Sequence, residues 1–116
     1  MSEFKIFQVE RPWGNFRQYN HNSPCTVKII TVKPNEILSL QSHQKRAEFW
    51  HVLSGDGTIQ INENKYEVKD GDEYHIPIGA KHRMSGGSSG LEILEISTGD
   101  FDEADVVRYE DKYGRS

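Results

Sequence analysis

The stretch Glu36–Trp50, EILSLQSHQKRAEFW, decides the fold. Its first half alternates, so Ile37, Ser39, Gln41 and His43 share one face of a strand. Glu48 lies far enough past His43 to open the next strand of a hairpin, where Glu48, Trp50 and Val52 again share a face. A second stretch, Gly71–His82 (GDEYHIPIGAKH), is punctuated by Gly71, Pro77 and Gly79 and ends on His82, 39 residues after His43. One imidazole from each half, with the Glu48 carboxylate and the Gln41 amide oxygen, makes a mixed nitrogen and oxygen donor set. Gln41, His43, Glu48 and His82 are therefore expected to hold one divalent metal, zinc first, with manganese, iron or cobalt as other fits. A Glu and two His left unpaired inside a barrel would be costly, which favours a working site over a vestige.

Working outward, short alternating segments recur, each closed by Gly, Pro or Asn. TVKIITVKP alternates around Val27, Ile29 and Thr31. EFWHVLSGDG reads as a strand ending at Gly55. GTIQINENKYEV reads as a hairpin with Asn62-Glu63-Asn64 as its turn. DEYHIPIG and LEILEIS are further strands, and GGSSG between them reads as a flexible loop. This is an all-β pattern, a sandwich or barrel, and 116 residues suit one domain. The core is expected over about 11–100, with 101–116 as a C-terminal strap or a single helical turn.

Composition narrows the function. The single cysteine, Cys25, excludes an internal disulfide and a Cys-rich zinc site. A net charge of −4 without a basic stripe argues against nucleic acid, while a local Lys/Arg cluster would still suit an anionic small molecule. No apolar run approaches a membrane span, and the N-terminus lacks a signal-peptide profile, so a cytoplasmic location away from membranes is expected. With 34% hydrophobic residues the core must be thin and supplemented by aromatics.

Both metal-ligand stretches resemble the two motifs of the cupins, small jelly-roll (double-stranded β-helix) barrels with a central metal. Asn35 stands in the usual Gly position of the first motif and Gln41 in place of its first His. The second motif matches at Gly71, Pro77, Gly79 and His82, with Gly86 where Asn is common. RPWG (Arg11–Gly14), LSLQSHQKRAEFW, IPIGAKHR, LEILEISTGDF and DVVRYEDKYGR narrow this to the type II mannose-6-phosphate isomerase family. Such a module usually forms the C-terminal part of a bifunctional mannose-1-phosphate guanylyltransferase/isomerase. The 116 residues hold no nucleotidyltransferase segment, so guanylyltransferase activity is not expected of them. Departures are Gln44 and Lys45 after His43, Phe49 where a second His is frequent, and His75 where an aromatic is frequent.

The resemblance implies an aldose–ketose isomerase acting on mannose 6-phosphate and fructose 6-phosphate. Proton transfer between C1 and C2 needs an acid/base, and the candidates are Lys28, by resemblance, and Glu92 or Glu95, which lie on opposite faces of one strand. Phosphate recognition calls for forked donors. Arg46, of the RAE motif, comes first, also as a catalytic residue; Arg108 follows, with Arg83, Arg115 and Arg11 as further candidates. Trp13 and Trp50 are expected to stack on a sugar or fill the core, and His21, His51 and His75 to lie outside the site. The rivals are an iron-dependent cupin oxygenase and a non-catalytic sugar-binding or regulatory cupin. A homodimer through an edge strand is expected, because exposed edges need covering.

Overall fold

The structure, a computed structural model, describes residues 5–99 and 101–114. Nine antiparallel strands follow in chain order: β1 (Phe7–Arg11), β2 (Gly14–Gln18), β3 (Cys25–Val32), β4 (Leu40–Ser42), β5 (Glu48–Ile61), β6 (Asn64–Glu67), β7 (Glu73–Ile76), β8 (His82–Thr98) and β9 (Val107–Glu110). No helix among the described residues is long and apolar enough to cross a membrane.

Two long strands, β5 and β8, form the spine of a seven-stranded sheet that runs β6-β5-β8-β4-β9. They pair along their lengths from Glu48↔Ser97 to Ile61↔His82. β7 and β6 add to the free side of β5, and β3 and β4 to that of β8. The interior face carries Val32, Trp50, Val52, Ile59, Ile76, Met84, Leu91 and Ile93 as one apolar cluster. It fills one end of the barrel and leaves the polar interior residues at the other.

The spine corrects two expectations. β5 does not end at Gly55, and GGSSG is not a loop: both segments run on as strand through register shifts at Val52/Ser54 and Gly55/Gly57. A Cβ at Gly57 would lie 2.0 Å from the Ser85 carbonyl oxygen, and one at Gly55 2.2 Å from that of Gly90. Glycines that suggest a turn in sequence here permit two bent backbones to touch. The β5–β6 turn tightens to Asn62-Glu63, with Ile61 paired to Asn64. Asn35 takes a left-handed φ of 62°, which Asn tolerates, and so replaces the Gly of the motif without clash.

Alternation on β3 sends Val27 and Ile29 outward, 56% and 61% exposed, while Thr26, Lys28, Ile30 and Val32 face inward. β1 and β2 make a separate hairpin turned at Pro12-Trp13. Trp13 is 74% exposed at that tip, so it neither fills the core nor stacks in the site. The end of β2 and the residue after it are fastened to the outer face of the barrel. Arg17 donates to both Glu73 oxygens at 2.7–3.2 Å, Tyr19 Oη donates to Glu73 Oε2 at 2.9 Å, and the Tyr19 ring packs 5.4 Å from Phe49. The tail is a strap, not a helical turn: β9 pairs with β4, and Lys112 Nζ and Tyr113 Oη both reach Glu36 Oε1.

Candidate metal centre

His43 and Glu48 end the turn between β4 and β5, and His82 opens β8; all three side chains are buried. Their ligand atoms lie within 4.8 Å of one another. His43 Nε2 is 3.3 Å from Glu48 Oε2, and His82 Nε2 is 3.7 Å from Glu48 Oε1. The far nitrogen of each imidazole is held by the main chain. His43 Nδ1 meets the Asp105 carbonyl oxygen at 2.6 Å, and His82 Nδ1 that of Ala80 at 3.0 Å. A carbonyl can only accept, so each Nδ1 carries a proton, and each Nε2 faces Glu48 as the atom it would offer a cation. This is the outer-shell arrangement that metal-ligating histidines require, and the donor set fits a divalent cation.

Gln41 pairs in register with His82 and therefore shares its face. Its Nε2 donates to Ser39 Oγ at 2.8 Å, which leaves Oε1 as the atom it offers a cation. Trp50 is the support beneath the carboxylates. Its Nε1 donates to Glu48 Oε1 at 3.1 Å and lies 3.3 Å from Glu95 Oε1. Arg46 Nε donates to Glu48 Oε2 at 3.1 Å, and Nη2 lies 3.3 Å from His43 Nε2.

Of the acid/base candidates, Glu95 turns inward and is buried beside Glu48. Burial, then the Glu48 charge and their mutual hydrogen bond, push its carboxyl up to about 8. Burial also works against ionising Glu48, but His82, the hydrogen bond from Glu95, His43 and Arg46 outweigh it and hold Glu48 below its ordinary value. The two neighbouring carboxyls are thus pushed in opposite directions, Glu95 up and Glu48 down. Burial lowers His82 despite the Glu48 charge, which keeps it neutral. Lys28 faces Glu95 across the β3–β8 ladder, but its Nζ reaches the rim, 3.0 Å from Glu103 Oε1.

The arginines separate. Arg46 is buried at the centre. Arg108 pairs with Gln41 from β9 and shares its face. Arg83 does not reach the interior: one residue past His82, alternation turns it outward, where it donates to the Leu38 carbonyl and to Glu110. Arg11 is also elsewhere, on the β1–β2 hairpin with its guanidinium over Phe16. Arg115 falls outside the described residues. His51 binds Glu73 on the outer face, as its position after Trp50 implies. Sequence reasoning missed Asp105, whose carboxylate also accepts from the Gln44 and Lys45 amides. It opens the DVVRYEDKYGR motif, so its presence in a shared motif was the available signal.

A seven-stranded antiparallel barrel with His and Glu ligands converging inside it is a cupin. The chain belongs to the family described as mannose-6-phosphate isomerase C-terminal, whose model matches residues 2–111. It is 40% identical over 111 residues to the alginate biosynthesis protein AlgA of Pseudomonas putida, covering 94% of this chain and 23% of that protein. To the mannose-1-phosphate guanylyltransferase ManC of Salmonella typhimurium it is 40% identical over 110 residues, 93% of this chain and 23% of ManC. The chain thus spans about a quarter of the length of these relatives. In fold it matches the capsular polysaccharide assembling protein CapF of Staphylococcus aureus, with a TM-score of 0.68 at 19% identity over 93% of this chain and 33% of CapF.

Proposed function

We propose that this barrel interconverts mannose 6-phosphate and fructose 6-phosphate, in the cytoplasm, as part of the supply of mannose units for polysaccharide synthesis. The observation that carries the reading is the buried Glu95 held with Glu48 by the Trp50 indole beside His43 and His82, inside a chain of the isomerase family. Gln41, His43, Glu48 and His82 would hold one divalent cation, zinc first. Bound there, the cation supplies Lewis acidity at the sugar's carbonyl oxygen.

The chain's own groups do the rest. Glu95 is the acid/base: as a carboxylate it takes the proton from C2 of the aldose and returns it to C1, while the hydroxyl proton on O2 passes to O1, so the carboxyl ends as it began. Trp50 fixes both carboxylates through its indole N–H, so neither needs to reorient as charge shifts. Arg46 binds the substrate's phosphate, with Arg108 flanking it on the Gln41 side. Lys28 acts from the rim, as a cation for the same anion more than as the base. A remote phosphate held in this way orients C1 and C2 and lowers the barrier. A homodimer through the edge of β3 that β8 does not occupy completes the proposal.

A coupled isomerase assay on metal-loaded protein tests the reading. Mannose 6-phosphate should turn over far faster than free mannose, with the loss in kcat as well as in apparent affinity. No turnover of any sugar phosphate in a panel would replace the isomerase with a binding module, and oxygen uptake with iron would replace it with an oxygenase.

A further inference from the structure

Between them, three consecutive strap residues, Phe101, Asp102 and Glu103, touch both cations of the barrel mouth. Arg46 Nη1 donates to the Asp102 carbonyl oxygen at 3.1 Å, and Lys28 Nζ to Glu103 Oε1 at 3.0 Å. The same two cations lie over the ring of Phe101, 4.1 Å from its centroid for Lys28 Nζ and 4.3 Å for Arg46 Cζ. The strap therefore brings one oxygen to each cation and an aromatic face to both. On β8, Glu95 and Ser97 follow one another on the same interior face.

Ser97 supplies an independent observation. It is 1% exposed, lies in register between Thr26 on β3 and Glu48 on β5, and its Oγ has no hydrogen-bond partner among the described residues. A buried hydroxyl without a partner costs free energy unless something else satisfies it. The register of Ser97 with Glu48 places it on the same face of the sheet as that carboxylate. Glu103, by contrast, is 80% exposed apart from its contact with Lys28. A carboxylate so solvated is held weakly and is easily displaced.

We propose that Lys28, Arg46 and Ser97 form a phosphomonoester subsite, and that Phe101–Glu103 is a built-in stand-in that the ligand's phosphate displaces. A phosphate dianion offers oxygens to the ammonium, the guanidinium and the hydroxyl at once, where the strap offers one carboxylate and one carbonyl. Glu103 is then a competitor whose removal tightens phosphate binding. It also disfavours neutral sugars, which cannot replace the charge that Lys28 would lose. The inference rests on reading Arg46 as the phosphate ligand of the site.

The test is phosphate binding by the metal-loaded chain, with inorganic phosphate and mannose 6-phosphate as probes at constant ionic strength, followed by calorimetry. Glu103→Ala should tighten both by about threefold or more. In a Lys28→Ala background, where phosphate binds more weakly, Glu103→Ala should add nothing. Hydrogen exchange at residues 101–106 should rise when phosphate is added to the unsubstituted protein. Unchanged or weakened binding in Glu103→Ala, or unchanged exchange in the strap, overturns the proposal. Binding and exchange are read without turnover, so the outcomes separate: a tightened but inactive Glu103→Ala chain keeps the subsite and removes the isomerase.

Discussion

At the residue scale, the site depends on groups that hold ligands as much as on the ligands. Asp105 fixes His43 through its carbonyl and the His43–Arg46 turn through its carboxylate. Asp105→Ala keeps that carbonyl but removes the carboxylate that holds the Gln44 and Lys45 amides, so it should loosen His43 and lower metal affinity by at most about tenfold. Asp105→Asn should recover part of that, and chelator competition measures both. Arg46→Lys should recover little of the activity lost in Arg46→Ala, because an ammonium cannot span Glu48 and a phosphate as a fork does. Steady-state kinetics decide this, and near-normal rates in both variants would remove Arg46 from the mechanism. The candidate ligands His43, Glu48 and His82 were legible in sequence because each motif half carries its donor types at short, local spacing. The held protons on Nδ1 were not, since main-chain carbonyls from residues 80 and 105 leave no side-chain signal.

At the scale of elements, the β5–β8 crossing is the most constrained contact. Gly57→Ala would drive a methyl into the Ser85 carbonyl at a φ of 153°, so it should destabilise the fold by about 3 kcal/mol or more. A urea midpoint near that of the unsubstituted chain would show that the crossing relaxes. The joint between the N-terminal segment and the barrel is titratable. Burial works to raise Glu73, but Arg17, His51 and Tyr19 outweigh it and lower it. A carboxyl lowered on folding contributes stability above its unfolded value and loses it as pH falls through its folded one. Glu73→Gln should therefore cost about 1–2 kcal/mol at neutral pH, for lost hydrogen bonds to a charged group that is partly solvated. That difference should shrink steadily below about pH 4.5, the ordinary carboxylate value; a constant gap through acid would assign it to packing.

For the whole molecule, metal and fold should be linked. A saturating cation at a hundredfold over its Kd adds about 2.7 kcal/mol, so a chelator should lower Tm at neutral pH. Burial holds His82 below its ordinary pKa, so the unfolded chain takes a proton first as pH drops. Stability and metal occupancy should then fall together below about pH 6.5, and the curves with and without chelator should merge. Outward Val27 and Ile29, beside an edge of β3 that pairs with no other strand among the described residues, lead us to expect that Ile29→Lys shifts the proposed dimer toward monomer in sedimentation, without changing metal binding. Sequence by itself determined the class of fold and brought His43, Glu48 and His82 forward as candidate ligands. Those properties follow from alternation and donor chemistry, which act within a few residues. Only the tertiary structure decided that Glu95 is buried beside Glu48, that Arg83 and Arg11 lie away from that group, and that the strap covers Lys28 and Arg46. Each of these depends on which strand lies beside which, and pairing between residues 50 to 75 positions apart is fixed by the closed barrel as a whole.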